Sequence, residues 1–521
     1  MTFNKPSCAA PLADPVSPKP LVAVWQVHAR DNVVVALQEL PMGYTLPAPW
    51  QHVVTNSVVP AGHKIALAPL AIGEQVVKYG YAIGVASMVI NAGDHLHSHN
   101  VQTALSGKTD YQYQGGVSEP LPFPVDLPQS FMGYRRTNGK VGTRNELWIL
   151  NTVGCVNRAA TRIAATANAR LQQQNLANID GVYAYTHPFG CSQLGDDLKH
   201  TRTILAGLAQ NPNAGAVLIL GLGCENNQLA ALLNACEGID QSRVRAFNAQ
   251  QVSDEFDEGL AAVDELLALM ANDQREVCAV SELVLGMKCG GSDGLSGLTA
   301  NALVGKMADF ATAAGGKVVL TETPEMFGAE QVLMARARSE AVFQATVNLV
   351  NEFKQYFIDN QQPVYENPSP GNKAGGLTTL EEKSLGAIQK GGSAIVEQVI
   401  AYGEVAKVPG LTLLQGPGND AVSSTALTAA GATLILFTTG RGTPLGFPVP
   451  TVKISSNSTL AQHKPQWIDY DAGAMLQPGV SPEQFAFDFF RYLIAVASGT
   501  KTCNERSENK EIAIWKNGVT L

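Results

Sequence analysis

Cysteine, net basic charge and long apolar runs are all scarce in this sequence. It has eight cysteines in 521 residues, none of them spaced as C-x-x-C, which argues against a disulfide framework or a zinc ribbon. The net charge of −9 argues against nucleic-acid and anionic-membrane partners. No apolar run approaches the roughly 18 residues that a membrane span requires. We therefore expect a globular protein of the reducing cytoplasm.

The composition suits a protein with a large core, since 45% of its residues are hydrophobic and 16% are charged. The pattern along the chain predicts an α/β fold with mostly parallel sheets, preceded by a small β domain. A polar segment near Ala279 is expected to divide the α/β region in two. Residues 1–20 are expected to be a disordered tail, since they lack the apolar segment of a signal peptide. The other predicted parts are the β domain (21–105), a Pro- and Gly-rich linker (106–133), a first α/β domain (134–278) and a second α/β domain (279–521).

Four strand-like apolar runs each end in a glycine-containing turn with a cysteine. These cysteines are Cys155, Cys191, Cys224 and Cys289. The first two intervals between them match one strand–helix–strand unit each, and the last interval matches two. Parallel sheets collect their strand ends at one edge, where ligands bind. The pattern therefore indicates a metal site along that edge.

Ionisable residues accompany these thiols. His187 lies in the loop of the second cysteine, Glu225 directly follows the third, and Asp293 lies just beyond the fourth. Thiolate, imidazole and carboxylate together suit Fe, Mn or Zn. The simpler alternative is that each thiol is a small buried residue at a strand end. We predict metal ligands among Cys155, Cys191, Cys224, Cys289, Glu225 and Asp293.

The turn GLGCEN also resembles a dinucleotide-binding fingerprint, but Asn226 stands where the third glycine is required. A nicotinamide site is therefore not favoured. Nor does any loop match G-x-x-x-x-G-K-[ST], which argues against an ATPase.

Glycine-rich loops in the last half of the chain indicate a site for an anionic substrate. They read CGGSDGLSGLTAN, ENPSPGNKAGG, GPGNDAVSST and TTGRGTPLGFP. Backbone N–H groups in such loops bind anions, and an arginine can hold a carboxylate through two hydrogen bonds. We predict substrate contacts from Asn372, Lys373, Asn419, Asp420, Arg441 and Thr443, with Lys373 also a candidate for catalysis.

The segment DHLHSHN, at the end of the β domain, contains three alternating histidines. On a strand, His95, His97 and His99 would face the same side. Such a trio indicates a metal site or a site of proton transfer. We predict that His97, His99 or His187 serves as the catalytic base or acid. The first two can do so only if the β domain folds over the α/β cleft.

A metal-assisted dehydration of a sugar acid would use these parts together. The proton next to a carboxylate is weakly acidic, and a metal that binds the carboxylate stabilises the enediolate formed when it is removed. A base and an acid on opposite sides complete the elimination of water.

The longest motifs resemble those of the altronate/galactarate dehydratase family. They are GYRRTNGKVGTRNELWILNTVGCVN, THPFGCSQLGDD, GLGCENNQ, CGGSDGLSG, PEMFGAEQ, YENPSPGNKAGG, GPGNDAV and TTGRGTP. The block that ends in DHLHSHNV resembles the SAF (β-clip) domain of that family. The resemblance covers the chain from about residue 22 to residue 521.

Within the family, GCVN, GCSQLGDD, GCENNQ, PEMFGAEQ and DHLHSHN resemble the altronate branch. The resemblance implies the dehydration of D-altronate to 2-dehydro-3-deoxy-D-gluconate in hexuronate catabolism. It also implies Fe(II) or Mn(II) as cofactor, a Rossmann-like C-terminal domain and a homodimer.

Three alternatives remain open at this point. The first is a galactarate dehydratase of the same family. The second is an iron–sulfur hydro-lyase, in which three of the cysteines hold a cluster. The third is a sugar-acid binding protein without activity, which would have no need of thiols at the strand ends.

Overall fold

The computed structural model describes residues 23–113, 115, 122–174 and 176–521. The predicted tail, 1–20, lies outside the described residues, as does part of the predicted linker. The α/β fold class is confirmed, because two parallel sheets of four and seven strands form the body of the protein. No helix in the described part of the chain is long and apolar enough to cross a membrane.

The N-terminal domain consists of two small antiparallel sheets joined by tight turns. One sheet has the order β1-β2-β3-β6 and the other β4-β5-β7. Their strands are β1 (Val24–Trp25), β2 (Val33–Ala36), β3 (Lys64–Ala66), β4 (Gln75–Lys78), β5 (Tyr81–Ala86), β6 (His95–Leu96) and β7 (Val101–Gln102).

The second domain is built on a four-stranded parallel sheet of order β11-β10-β12-β13, next to a small antiparallel sheet of order β14-β8-β9. The strands are β8 (Ser130–Arg135), β9 (Val141–Gly142), β10 (Glu146–Asn151), β11 (Gly181–Tyr185), β12 (Ala214–Gly221), β13 (Val244–Asn248) and β14 (Glu276–Ala279). The helices are α1 (Asn157–Gln174), α2 (Gly195–Ala209), α3 (Leu229–Ala235) and α4 (Glu255–Met270). The polar segment near Ala279 is strand β14, which pairs with β8.

The C-terminal domain has a seven-stranded parallel sheet of order β17-β18-β16-β15-β19-β20-β21. The strands are β15 (Val284–Cys289), β16 (Lys317–Leu320), β17 (Val396–Ile400), β18 (Gly410–Leu414), β19 (Leu434–Thr439), β20 (Thr451–Ser455) and β21 (Tyr470–Asp471). The helices are α5 (Ala300–Ala313), α6 (Glu330–Met334), α7 (Glu340–Asp359), α8 (Pro370–Ala374), α9 (Leu380–Ala387), α10 (Asp420–Ala429), α11 (Ser458–His463), α12 (Pro482–Ala497) and α13 (Cys503–Arg506).

The strand order reverses between β15 and β19, and the region outside their carboxyl ends is termed the crevice. From β15 the chain moves to one side of the sheet, through β16 and β18, and it then returns to the other side through β19 and β20. The chain therefore continues in opposite directions along the sheet after β15 and after β19. In doubly wound sheets, ligands bind at this reversal point.

The N-terminal domain packs against the C-terminal domain through a buried ion triad. Glu382, on α9, accepts hydrogen bonds from the ammonium groups of Lys64 and Lys78, each at 2.9 Å. All three side chains are fully buried. Beside the triad the two backbones touch, since a Cβ on Gly294 would lie 1.9 Å from the carbonyl oxygen of Gly62. The position of the N-terminal domain is thus fixed by charge pairing and by close backbone contact.

We predict that Glu382→Gln lowers the free energy of unfolding by about 3–5 kcal/mol at pH 7, because it leaves two buried ammonium groups without a counter-ion. Chemical denaturation followed by circular dichroism measures the change. A matched control is Asp264→Asn, which breaks an ion pair with Arg170 that is about half exposed. The control should change the free energy of unfolding by less than about 1 kcal/mol.

The loss of stability in Glu382→Gln is also expected to depend on pH. Burial raises the pKa of Glu382, but Lys64 and Lys78 outweigh burial and hold that pKa well below its ordinary value. A carboxyl group with a lowered pKa stabilises the fold above its ordinary pKa of 4.5, and the stabilisation is lost as the pH falls below that value. The stability difference between wild type and Glu382→Gln should therefore shrink below pH 4.5. An equal difference at pH 7 and pH 3 would contradict this interpretation of the triad.

Candidate active site

A cluster of buried ionisable side chains lies at the carboxyl ends of β15 and β16. Cys289 is the last residue of β15, and Glu322 and Glu325 follow β16. Among the described residues, these are the one set of three metal-binding side chains whose ligand atoms all lie within 4.8 Å of one another. Glu322 has a φ of 70°, in the left-handed region that residues other than glycine rarely adopt. Strained backbone of this kind is concentrated at functional sites.

Three lysine ammonium groups already pair with this cluster. Lys390 lies 2.7 Å from the sulfur of Cys289 and 3.0 Å from Glu322. Lys288 also forms a hydrogen-bonded ion pair with Glu322. Lys383 lies 2.8 Å from Glu325. The charges of the two carboxylates are therefore compensated within the protein.

The ionisation of the cluster follows from these contacts. Burial, followed by the charges of Glu322 and Glu325, raises the pKa of the Cys289 thiol to about 12. Burial opposes ionisation of Glu325 as well, but Lys383 and the other lysines outweigh it and lower the pKa of Glu325 to about 2. Cys289 is therefore a thiol beside an ionised carboxylate, and its sulfur lies 3.1 Å from Glu325.

These contacts bear on whether the cluster suits a divalent metal. A thiolate and two carboxylates are acceptable ligands for Fe(II) or Mn(II). In this arrangement, however, Lys390 contacts both the sulfur and Glu322, and Lys383 contacts Glu325. A metal ion would have to displace these ammonium groups. The arrangement therefore fits an ion-paired site for proton transfer better than an open metal site.

Two cations lie on loops at the rim of the crevice, and a Cβ on Gly291, just after β15, would lie 3.4 Å from Cβ of Arg441. Arg441, after β19, is exposed, and Lys373, on α8, is half-buried. Their loops are adjacent, because a Cβ on Gly371 would lie 3.6 Å from Nε of Arg441. Within the described part of the chain, neither cation forms an ion pair with a carboxylate. Such unpaired cations suit an anionic ligand.

Other residues predicted to contact the substrate hold the loops of the crevice in place. Asn372 is buried and donates a hydrogen bond to the carbonyl of Ser292 at 2.8 Å. Asn419 caps α10 by accepting hydrogen bonds from two backbone N–H groups. The carbonyl of Thr443 accepts a hydrogen bond from Lys453. Asp420 is partly exposed and pairs with Lys288 at 2.9 Å.

Asp293 joins three loops of the C-terminal domain. Its carboxylate accepts hydrogen bonds from the hydroxyls of Ser296 and Ser456 at 2.8–2.9 Å and from the side-chain amide of Asn457 at 3.0 Å. It is not in the set with Cys289, and its donors give it a structural role.

The predicted site residues of the second domain do not join this cluster. Cys155, Cys191 and Cys224 follow the ends of β10, β11 and β12 and are exposed. Because these strands belong to the four-stranded sheet and Cys289 ends a strand of the other sheet, the thiols are divided between two sheets. In the described residues, no set of three ligand atoms within 4.8 Å contains more than one cysteine.

His187 and Glu225 are used locally in the second domain. Nε2 of His187 lies 2.8 Å from the carbonyl oxygen of Asn151, and its Nδ1 accepts a hydrogen bond from the backbone of Phe189. Burial lowers the pKa of His187. Glu225 accepts hydrogen bonds from the hydroxyl of Thr152 and from the backbone N–H groups of residues 222 and 223. Both side chains thus brace strand-end loops.

Four imidazoles of the N-terminal domain lie close together where this domain packs against the C-terminal domain. His63 and His95 lie with Nδ1 and Nε2 2.9 Å apart, and His97 and His99 are adjacent. His97 places Nε2 2.8 Å from the carbonyl oxygen of Lys373. The histidine-rich segment therefore lies against the rim of the crevice, next to one of its two cations.

Sequence reasoning missed several residues of the site, namely His63, Lys288, Glu322, Glu325, Lys383 and Lys390. The signal for Glu325 is present in the motif PEMFGAEQ, which the family resemblance includes. Charged residues directly after the apolar run KVVL are the corresponding signal for Glu322. For the lysines and His63 the sequence offers no comparable pattern.

The fold and the site together define a three-domain α/β protein in which an N-terminal β domain covers the reversal point of a parallel sheet. Three family models match the chain: "Altronate/galactarate dehydratase SAF domain" at residues 22–104, "D-galactarate dehydratase/Altronate hydrolase, second domain" at 133–271, and "D-galactarate/Altronate dehydratase, C-terminal" at 280–520. The chain belongs to the altronate/galactarate dehydratase family, which confirms the resemblance noted from its motifs.

Similar proteins match nearly the whole chain. Altronate dehydratase of Escherichia coli (strain K12) is 51% identical over 95% of this chain and 99% of its own length. Altronate dehydratase of Bacillus subtilis (strain 168) is 48% identical over the same shares. Galactarate dehydratase (L-threo-forming) of Escherichia coli (strain K12) is 32% identical over 91% of this chain and 93% of its own length.

We predict that an alkylating reagent at neutral pH modifies Cys155, Cys191 and Cys224 in the folded protein and spares Cys289. The first three thiols are exposed, whereas burial excludes the reagent from Cys289 and keeps it protonated. Peptide mass spectrometry before and after unfolding measures the modification. The buried thiols of Cys236 and Cys278 serve as matched controls, and rapid labelling of Cys289 alone among the buried thiols would contradict the assigned burial.

Proposed function

We propose that this protein is a hydro-lyase that dehydrates D-altronate to 2-dehydro-3-deoxy-D-gluconate. The observation that carries the proposal is sequence identity. The chain is 51% and 48% identical to two proteins named altronate dehydratase, and 32% identical to one named galactarate dehydratase. The site agrees with an acidic substrate, because the two cations that border the crevice have no carboxylate partner among the described residues.

The rim of the crevice would bind the substrate. Arg441 presents a planar guanidinium group that can form two hydrogen bonds to a carboxylate. Lys373 adds a second positive charge beside it. Asn372, Asn419, Asp420 and Thr443 position the loops around these cations, and Asp420 is partly exposed to the crevice. The carboxylate of the sugar acid would thus be fixed at Arg441, with its hydroxyl-bearing chain directed into the crevice.

Removal of the C2 proton and departure of the 3-hydroxyl require a base and an acid. His97 and His99, at the interface with the N-terminal domain, are the proposed proton carriers on one side. On the other side, the thiol of Cys289 and the ammonium group of Lys390 can return a proton through the buried network. Fe(II) or Mn(II), the cofactor that the family resemblance implies, would stabilise the enediolate when bound.

An iron–sulfur cluster has less support than a mononuclear metal. Such clusters are held mainly by cysteine thiolates. In the described part of the chain, the set of three close ligand atoms contains one cysteine and two glutamates. A homodimer remains part of the proposal because the resemblance implies it, and a cytoplasmic location because the chain has few cysteines.

The substrate is tested by comparing D-altronate, galactarate and D-mannonate in an anaerobic dehydration assay, with Fe(II), Mn(II) or Zn(II) added back after chelation. We expect turnover of D-altronate that depends on Fe(II) or Mn(II). Turnover of galactarate alone would move the protein to the other branch of the family. Turnover that is unaffected by chelation would remove the metal from the proposed mechanism.

We predict that Arg441→Gln raises KM for D-altronate by roughly 10–100-fold, because a hydrogen bond to a charged group contributes about 1.5–3 kcal/mol. Steady-state kinetics measures the change. Arg245→Gln is a matched control, since Arg245 forms a partly exposed ion pair with Glu265 in the second domain. The control should leave KM unchanged, and an unchanged KM in Arg441→Gln would exclude this arginine from substrate binding.

A further inference from the structure

Asp420 connects the buried Cys289 cluster to the crevice. The cluster consists of side chains that are each 8% exposed or less, namely Cys289, Glu322, Glu325, Lys288, Lys383 and Lys390. Asp420 is the first residue of α10, and its carboxylate lies 2.9 Å from the ammonium group of Lys288. The side chain of Asp420 is 35% exposed, so it is the member of this set that a substrate can reach.

One oxygen of the Asp420 carboxylate is available to a ligand. Oδ1 faces Lys288, whereas Oδ2 accepts no hydrogen bond from a residue that the structure describes. A Cβ on Gly290 would lie 2.5 Å from Oδ2 of Asp420 and 2.6 Å from the ring of Phe437. The carboxylate therefore packs closely against the turn that follows β15, which fixes its position and leaves the lone pairs of Oδ2 free to accept a proton.

Asp420 also lies close to the proposed binding point of the substrate carboxylate. Gly290 contacts Asp420, and the next residue, Gly291, contacts Arg441, because Cβ atoms added to these glycines would lie 2.5 Å from Oδ2 of Asp420 and 3.4 Å from Cβ of Arg441. In a sugar acid, C2 is bonded directly to the carboxylate carbon. A substrate held by Arg441 would therefore place C2 near Asp420.

Asp420 can accept a proton without leaving a buried charge unpaired. Its partner Lys288 is also paired with Glu322. When Asp420 becomes neutral, Lys288 therefore keeps a counter-ion, which a buried cation requires. Glu325 lacks this freedom, because among the described residues it is the one carboxylate that pairs with Lys383.

The charges of the cluster match the charges that develop in the reaction. With Asp420 ionised, three lysines are balanced by three carboxylates. Transfer of the C2 proton to Asp420 gives the cluster one positive charge and gives the substrate one additional negative charge. These opposite charges arise next to each other in a largely buried site, where their attraction is stronger than in water.

We propose that Asp420 is the catalytic base that removes the C2 proton, an assignment that rests on the proposed dehydratase function. Carboxylates serve as bases for protons of this kind in other enzymes. The electron pair of the C2–H bond forms the enediolate, which then expels the 3-hydroxyl as water with a proton from His97 or His99. The enol that remains receives a proton at C3 from Asp420 and returns its O–H proton to the histidine. Both groups are thereby restored, and the product is the 2-dehydro-3-deoxy acid.

Asp420→Asn tests the assignment, because it keeps the shape of the side chain and leaves Lys288 paired with Glu322. We expect kcat for D-altronate to fall by about 100–10,000-fold, with KM largely unchanged. Deuterium at C2 of the substrate should slow the variant more than it slows wild type, because removal of this proton becomes rate-limiting. A kcat close to that of wild type, or an isotope effect equal to that of wild type, would overturn the proposal.

Rescue by formate distinguishes a base from a carboxylate with a structural role. Asp420→Ala leaves space beside Gly290, and formate in that space should raise the rate of turnover. Asp420→Asn, whose amide fills the space, should not respond. Glu255→Gln is a matched control, since Glu255 is the exposed first residue of α4 in the second domain, and it should keep wild-type kinetics. Circular dichroism establishes that each variant is folded, and the absence of rescue in Asp420→Ala would overturn the proposal.

These experiments separate the role of Asp420 from the proposed substrate. If wild type and Asp420→Asn dehydrate D-altronate equally well, the function is supported and the role of Asp420 is wrong. If wild type dehydrates galactarate or D-mannonate instead and Asp420→Asn loses that activity, the role of Asp420 is supported and the substrate is wrong. If wild type dehydrates none of the three acids, both are wrong.

Discussion

The arrangement of the active site depends on one buried carboxylate, Glu382. A buried charge is tolerated only when it is paired, and the two cations that pair with it come from the N-terminal domain. Separating the domains would therefore break both ion pairs of this carboxylate. Lys64 follows His63 directly in the chain, so the same ion triad also fixes the position of the histidine group.

The triad constrains the C-terminal domain in the same way. Glu382 belongs to α9, and the segment that runs from α8 to α9 supplies the carbonyl of Lys373 that contacts His97. The ammonium group of Lys64 also donates to the carbonyl of Gly376 in this segment, at 2.7 Å. Lys373 lies at the beginning of the segment and Lys383 follows the triad on α9. One interface thereby sets the spacing between a rim cation, the imidazoles and the buried Cys289 cluster.

The sequence allowed the class of fold and the family to be predicted, because both depend on local patterns. Alternation of apolar strands with helices predicts parallel sheets, and the predicted edge is where Cys289 and Arg441 are found. The clustered histidines of DHLHSHN are also visible in the sequence, and they do lie close together. Their partner His63 was not foreseen, because it is 32 residues away from His95 and its turn has no distinguishing motif.

The local sequence determined which strands end in polar turns, since hydrophobic alternation and glycine positions act over a few residues. Only the tertiary structure decided which of those turns meet. The thiols that looked equivalent along the chain are divided between two sheets, whereas Cys289 is paired with Lys390, 101 residues away. Such pairs form because an unpaired charge is costly to bury, and that cost arises only once the chain has folded.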